Sequence, residues 1–84
     1  MNMEDQIKNV SNIPFRYVWC KNFKISTSFE DNIFKIKANK EGLESLGKQL
    51  LQLSQENISA GFHLHYDDYN CLENESISFI IEKE

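Results

Sequence analysis

The chain holds two histidines, and they stand two residues apart in the run Gly61-Phe62-His63-Leu64-His65-Tyr66-Asp67-Asp68. Apolar and polar residues alternate here as in a half-buried strand. Phe62, Leu64 and Tyr66 therefore share one face, and His63 and His65 share the other. Two imidazoles at i and i+2 on a strand can bind one metal ion or work as an acid and a base, and Asp67 continues the same face. Zinc, however, asks for three or four ligands held by supporting partners, and Cys20 and Cys71 stand in no motif spacing that would complete the set. Hydrolysis would need a nucleophile motif, a phosphate-cradling glycine loop or a paired carboxylate element, and none accompanies the histidines. With three glycines in all, the backbone has little capacity to wrap a cofactor. The expectation is no metal, no cofactor and no catalysis. The competing class is a small metal-dependent or acid/base hydrolase using His63 and His65.

Directly after the histidines comes an acidic segment, Asp67-Asp68-Tyr69-Asn70-Cys71-Leu72-Glu73-Asn74-Glu75, longer than a hairpin needs. One reading is a solvated loop pinned by Tyr69 and Leu72. The other is an electronegative, aromatic-bearing finger that enters a basic cleft on a partner protein. On the second reading the partner-binding residues are His63, His65, Asp67, Asp68, Tyr69, Glu73 and Glu75. Nine Lys and Arg against thirteen Asp and Glu give a formal net charge of −4, which argues against nucleic acid or an anionic membrane as partner and suits a basic protein. No apolar run approaches the roughly 20 residues of a membrane helix, and the first residues lack a basic and then apolar leader pattern, so the expected location is cytoplasmic. In a reducing compartment Cys20 and Cys71 are expected as free thiols.

The elements that must position these groups follow from hydrophobic periodicity. Residues 1–12 are polar, with only Ile7 and Val10 as anchors, and read as a loosely ordered lead-in. Pro14 marks where structure should begin, and 13–84 read as a single α+β domain. Phe15, Tyr17 and Trp19 alternate with Arg16, Val18 and Cys20, which predicts a strand. Lys21-Asn22 then turns the chain into a second strand on Phe23, Ile25, Thr27 and Phe29, and Glu30-Asp31-Asn32 turns it into a third on Phe34, Ile36 and Ala38. The period next changes to about 3.6, with Leu43, Leu46, Gly47, Leu50 and Leu53 on one stripe and Glu44, Lys48, Gln52 and Gln55 opposite. Asn39 should cap this helix and Asn57 should end it in a left-handed conformation. Gly47 on the apolar stripe should mark a close approach to the sheet.

Strands over Gly61–Tyr66 and Ser76–Glu82 complete a β-β-β-α-β-β order. The expectation is a five-stranded, mainly antiparallel sheet with one amphipathic helix on one face. A right-handed crossover would set the fourth strand parallel to the third, with the 67–75 loop, the Lys21-Asn22 turn, the start of the helix and both cysteines at one end. The face without a helix would carry Arg16, Val18, Cys20, Lys24, Ser26, Lys35, Lys37, His63, His65, Ser78 and Ile80. It reads either as a solvated face or as a docking surface.

The pattern Asn39-Lys-Glu-Gly42-Leu43-x-x-Leu46-x-x-x-Leu50-x-x-Leu53, then Gly61-x-His63-x-His65-x-Asp67, then Leu72-x-x-x-Ser76, resembles the immunity protein 32 family of bacterial polymorphic toxin systems. The resemblance spans about Ile33 to Lys83, and the positions it carries over are Gly42, His63, His65, Asp67 and Ser76. It implies an α+β fold and a protein-binding role without catalysis, the partner being a cognate toxin domain neutralised by direct binding; the protein is expected as a monomer or homodimer. A homodimeric adaptor that pairs through an exposed strand edge remains a further alternative.

Overall fold

The computed structural model describes residues 15–84. The expected lead-in over 1–12 and the start at Pro14 lie outside the described residues. Within them the order is β1 (Ile25–Glu30), β2 (Ile33–Ala38), α1 (Lys40–Leu53), β3 (His63–Tyr66) and β4 (Phe79–Glu82). The class is α+β as expected, but the single five-stranded sheet is not present. The strands form two antiparallel pairs, β1 with β2 and β3 with β4.

The first pair is set by its turn. Asp31 and Asn32 both take left-handed backbone angles, φ 54° and 63°, the geometry a two-residue hairpin loop requires and one that Asp and Asn tolerate better than most residues. The register runs from Glu30 opposite Ile33 to Ile25 opposite Ala38. β1 then lies beside residues 73–77 in the same direction without forming a ladder. Glu73 N–H donates to Ile25 C=O at 2.8 Å, and Thr27 N–H donates to Ser76 Oγ at 3.2 Å. Thr27 Oγ1 donates to Ile77 C=O at 2.6 Å and accepts from Ile77 N–H at 2.7 Å. A threonine hydroxyl thus stands where backbone would complete one continuous sheet, and β2 and β3, expected as parallel neighbours, do not pair.

The segment expected as the first strand is extended but pairs with no strand. Its peptide groups are satisfied by side chains of α1. Gln52 accepts from Arg16 N–H at 3.0 Å and donates to Arg16 C=O at 2.8 Å. Gln49 Nε2 donates to Val18 C=O at 2.8 Å, and Ser45 Oγ accepts from Cys20 N–H at 2.8 Å. Ser45, Gln49 and Gln52 are spaced to form one stripe of a helix, so a row of polar side chains replaces the ladder. The alternation itself is preserved: Phe15 packs on Phe62, and Tyr17 and Trp19 pack on Tyr66.

This rotates the buried stripe of α1 away from the expected leucine stripe. Gly42, Ser45, Leu46, Gln49 and Leu53 are buried, whereas Leu43 and Leu50 are exposed. Gln52, expected on the polar face, turns toward the 15–20 segment. Gly47 has nothing within 4 Å of where a Cβ would stand, so it is not the close-approach glycine. That role belongs to Gly42, where a Cβ would lie 2.5 Å from Lys24 O and 2.9 Å from Ile25 Cγ1. Asn39 caps the helix as expected, accepting from Gly42 N–H at 2.8 Å and Lys24 N–H at 3.0 Å while Nδ2 donates to Asn22 C=O at 3.0 Å. One side chain thereby ties together the helix start, β1 and the Lys21-Asn22 turn. At the other end Ser54, not Asn57, is the C-cap and stays right-handed. The Lys83 ammonium, brought back by β4, binds Gln55 C=O and Ile58 C=O beyond it, which places positive charge at the negative end of the helix.

The core comprises Phe15, Ile25, Leu46, Leu53, Ile58, Leu64, Tyr66, Cys71 and Leu72. Tyr66 is its centre: the ring stacks on Phe79 at 4.8 Å, and its hydroxyl donates to the buried Gln49 Oε1 at 2.7 Å. Gln49 therefore satisfies the buried Tyr66 hydroxyl and the carbonyl of the partly exposed Val18 at once, and the buried Tyr66–Gln49 pair is connected rather than orphaned.

Candidate functional site

β3 alternates as its sequence predicts. Leu64 and Tyr66 are buried while His63 and His65 are exposed, and across the ladder they face Glu82 and Ile80. The imidazoles meet edge to face at 4.8 Å. His63 Nδ1 lies 2.9 Å from Gly61 C=O, which fixes that ring. His65 N–H points away from β4 and donates to Tyr17 Oη at 3.2 Å, so the tyrosine covers part of the free edge of β3. The two histidines are brought together on one face.

Asp67 does not join them. Its carboxylate accepts from the N–H groups of Tyr69 and Asn70 at 3.1 and 3.0 Å. Its carbonyl accepts from Cys71 and Leu72 N–H at 3.1 and 2.9 Å. This knot, in which an aspartate side chain mimics a backbone turn, turns the chain and holds the loop. Among the described residues no group of three or more His, Cys, Asp or Glu side chains converges as a metal site would require.

The loop is anchored on its own apolar residues, though not on the pair expected. Cys71 and Leu72 are buried, whereas Tyr69 is 95% exposed and pins nothing. Tyr69 and Asn70 both stand in water before Cys71 and Leu72 enter the core. Asp68, Glu73 and Glu75 are exposed as well. The far limb is fixed by the Glu73 N–H bond to β1 and by Ser76, and Glu75 takes a left-handed φ of 70° between them. The loop, the Lys21-Asn22 turn and the start of α1 do lie together, joined through β1 and Asn39. Cys20 and Cys71 are both free thiols. Burial raises the Cys71 thiol above its ordinary value, so it keeps its proton at neutral pH, and burial likewise raises the Tyr66 phenol.

Between the histidine face and the loop lies a cleft of about 290 Å³ walled by Tyr17, Trp19, His65, Asn70 and Cys71. Tyr17, Trp19 and Asn70 were not singled out by the sequence as site residues. The Phe15-x-Tyr17-x-Trp19 alternation was the available signal, and it was absorbed into the expectation of a strand.

The arrangement is that of a small α+β protein presenting an exposed acidic loop and a two-histidine face. The model of the family described as Immunity protein 32 matches residues 34–84, more than half of the chain. The chain belongs to the immunity protein 32 family. The matched region runs from β2 through the acidic loop to the end of β4, while β1 and the Phe15–Cys20 segment precede it. Comparison with curated proteins and with solved structures gave no match.

Proposed function

We propose that this protein neutralises a cognate bacterial toxin by direct protein–protein binding, without catalysis, through the acidic loop and the adjoining histidine face. The observation that carries this reading is the Asp67 knot. It holds Asp68 and Tyr69 outward, while the bonds of Glu73 and Ser76 to β1 hold Glu73 and Glu75 on the far limb, so little conformational freedom is lost on docking. An exposed tyrosine is an efficient anchor at an interface. Carboxylates around it steer a basic surface into register and speed encounter. His63 and His65 extend the same surface. Membership of an immunity-protein family supports a protein partner in general, and the acidic loop supports a basic cleft on it. A hydrolase on His63 and His65 is disfavoured because Asp67 is spent on Tyr69 and Asn70 N–H, which leaves Glu82, opposite His63, as the one carboxylate beside the imidazoles.

The test compares association kinetics of the wild type and an Asp68→Asn, Glu73→Gln, Glu75→Gln variant with the toxin domain encoded beside this gene. Asp67 stays unchanged because it holds the loop. Slower association and a flatter dependence on salt are expected for the variant. Identical on-rates and salt slopes would reduce the loop to a connector and overturn the reading.

A further inference from the structure

The β1–β2 hairpin carries a second surface of opposite character. β2 is exposed along its length, with only Ala38 partly covered, and in its sheet it has one neighbour, β1. The two-residue turn makes Glu30 and Ile33 a hydrogen-bonded pair, and such pairs alternate along the ladder. Given the register, the peptide groups of Phe34 and Ile36 therefore point away from β1. On one face of β2 stand Phe34, whose ring already packs edge to face on Phe79 of β4, and Ile36, with Phe29 opposite Phe34. On the other stand Lys35 and Lys37, whose cross-strand neighbours are Ser28 and Ser26 and not carboxylates.

We propose that β2 is a strand-docking edge that accepts an extended segment of another protein whose residues alternate acidic and apolar. Its peptide groups would bond to those of Phe34 and Ile36. Its carboxylates would face Lys35 and Lys37, and its apolar side chains would lie against Phe34, Ile36 and Phe29.

Charge selects this occupant over a second copy of the chain. In a self-paired antiparallel edge, setting Phe34 against Ile36 places Lys35 opposite the second copy's Lys35. Setting Ile36 against Ile36 places Lys35 opposite the second copy's Lys37. Like charges directly opposed are unfavourable. Setting Phe34 against Phe34 avoids this but leaves only Ile33 to Lys35 overlapped. Lysines on an edge strand discourage self-pairing, and the same lysines favour an acidic strand. The proposal does not rest on the toxin reading, and of the loop carboxylates only Glu73 shares a groove with Lys37.

The probe is a soluble peptide of alternating Glu and Val, added to the full-length protein while amide hydrogen exchange is followed residue by residue. A peptide of alternating Lys and Val is the control. Slower exchange at Phe34 and Ile36 is expected with the acidic peptide, weakened by salt, and absent with the basic one. The Lys35→Glu, Lys37→Glu variant should lose about tenfold or more in affinity for the acidic peptide and gain affinity for the basic one. Ile36→Pro removes an outward N–H that the hairpin does not use and should abolish protection at Phe34 while exchange elsewhere is unchanged. An Asp68→Asn, Glu75→Gln variant, which leaves Glu73 beside Lys37 unchanged, should bind the peptide as wild type does, which separates this surface from the toxin interface. The proposal is overturned by no protection, by equal protection from both peptides, or by protection in the protein alone that rises with its concentration, the last being the mark of self-pairing.

Discussion

The β1–β2 hairpin and the unit formed by the 15–20 segment, α1 and β3–β4 solve the same problem in opposite ways. Both begin from runs that alternate at period two. In the hairpin the alternation is spent on a ladder of backbone bonds whose outer strand remains in water. In the larger unit the Phe15–Cys20 run forgoes a strand partner, gives its peptide groups to Ser45, Gln49 and Gln52, and inserts Phe15, Tyr17 and Trp19 among the aromatic rings around Tyr66. Local structure is thus decided in one region by turn chemistry and in the other by what lies across the core. The hairpin meets the larger unit through small and polar contacts at Gly42, Asn39 and Thr27, through Ile25, which is buried in the core, and through Phe34, whose ring packs edge to face on Phe79.

If this contrast is right, the largest effect belongs to the core side of α1. Leu46 is 8% exposed and Leu50 43% exposed. Leu46→Ala should cost about 2–5 kcal/mol in urea denaturation, while Leu50→Ala should cost less than about 1 kcal/mol, as surface changes do. Equal losses would restore the leucine stripe and remove the rotated packing.

Next comes the polar row. Gln49→Leu would leave the buried Tyr66 hydroxyl without a partner, at about 1–3 kcal/mol, and the carbonyl of the partly exposed Val18 to water, at less. Tyr66→Phe in the same background should then cost much less than it does alone, and a double-mutant cycle with no coupling would break the connection between the segment and the core.

The junction should respond to a single methyl group. Gly42→Ala drives a Cβ against Lys24 O and Ile25 Cγ1 and should lose about 1–3 kcal/mol by overpacking. Gly47→Ala, which meets nothing, should gain up to about 1 kcal/mol from helix propensity. Thermal melts of the two variants moving in the same direction would contradict the assignment of the close approach. Thr27→Val, which keeps the shape but removes the hydroxyl from Ile77 N–H and C=O, should cost about 1–3 kcal/mol and raise amide exchange at Ile77 ahead of exchange in β3.

The smallest effect is on the alkaline side. Cys71 and Tyr66 are raised from 9.0 and 10.0 by burial, so both are neutral in the folded state where the unfolded chain would already ionise. Their contribution is fully present below pH 9 and is lost as pH rises past these ordinary values. The melting temperature should be level from neutral to about pH 9 and then fall. Cys71→Ala should remove the part that begins near 9. A melt that rises between pH 9 and 11 would show that neither group is buried in its neutral form.

Much of this was readable from the chain. The α+β class, the Asp31-Asn32 turn, the Asn39 cap, the change from period two to period 3.6 and the shared face of His63 and His65 are all local, set by steric limits on φ, by capping bonds and by side-chain alternation, and a window of a few residues contains them. The acidic loop was visible as composition, and so was the family resemblance, whose motifs fall almost wholly between Asn39 and Ser76. Alternation alone could not say which partner satisfies a strand-like backbone, because Gln49 and Gln52 lie more than thirty residues from Arg16 and Val18. Nor could it choose between two glycines on one helix, since the choice depends on where β1 crosses that helix. Asp67 continues the histidine face in the sequence, yet its carboxylate holds the turn, and Tyr69, which on one reading pins the loop, stands in water. A carboxylate and an aromatic ring take their roles from the groups placed against them, and those groups are fixed only once the distant elements have packed.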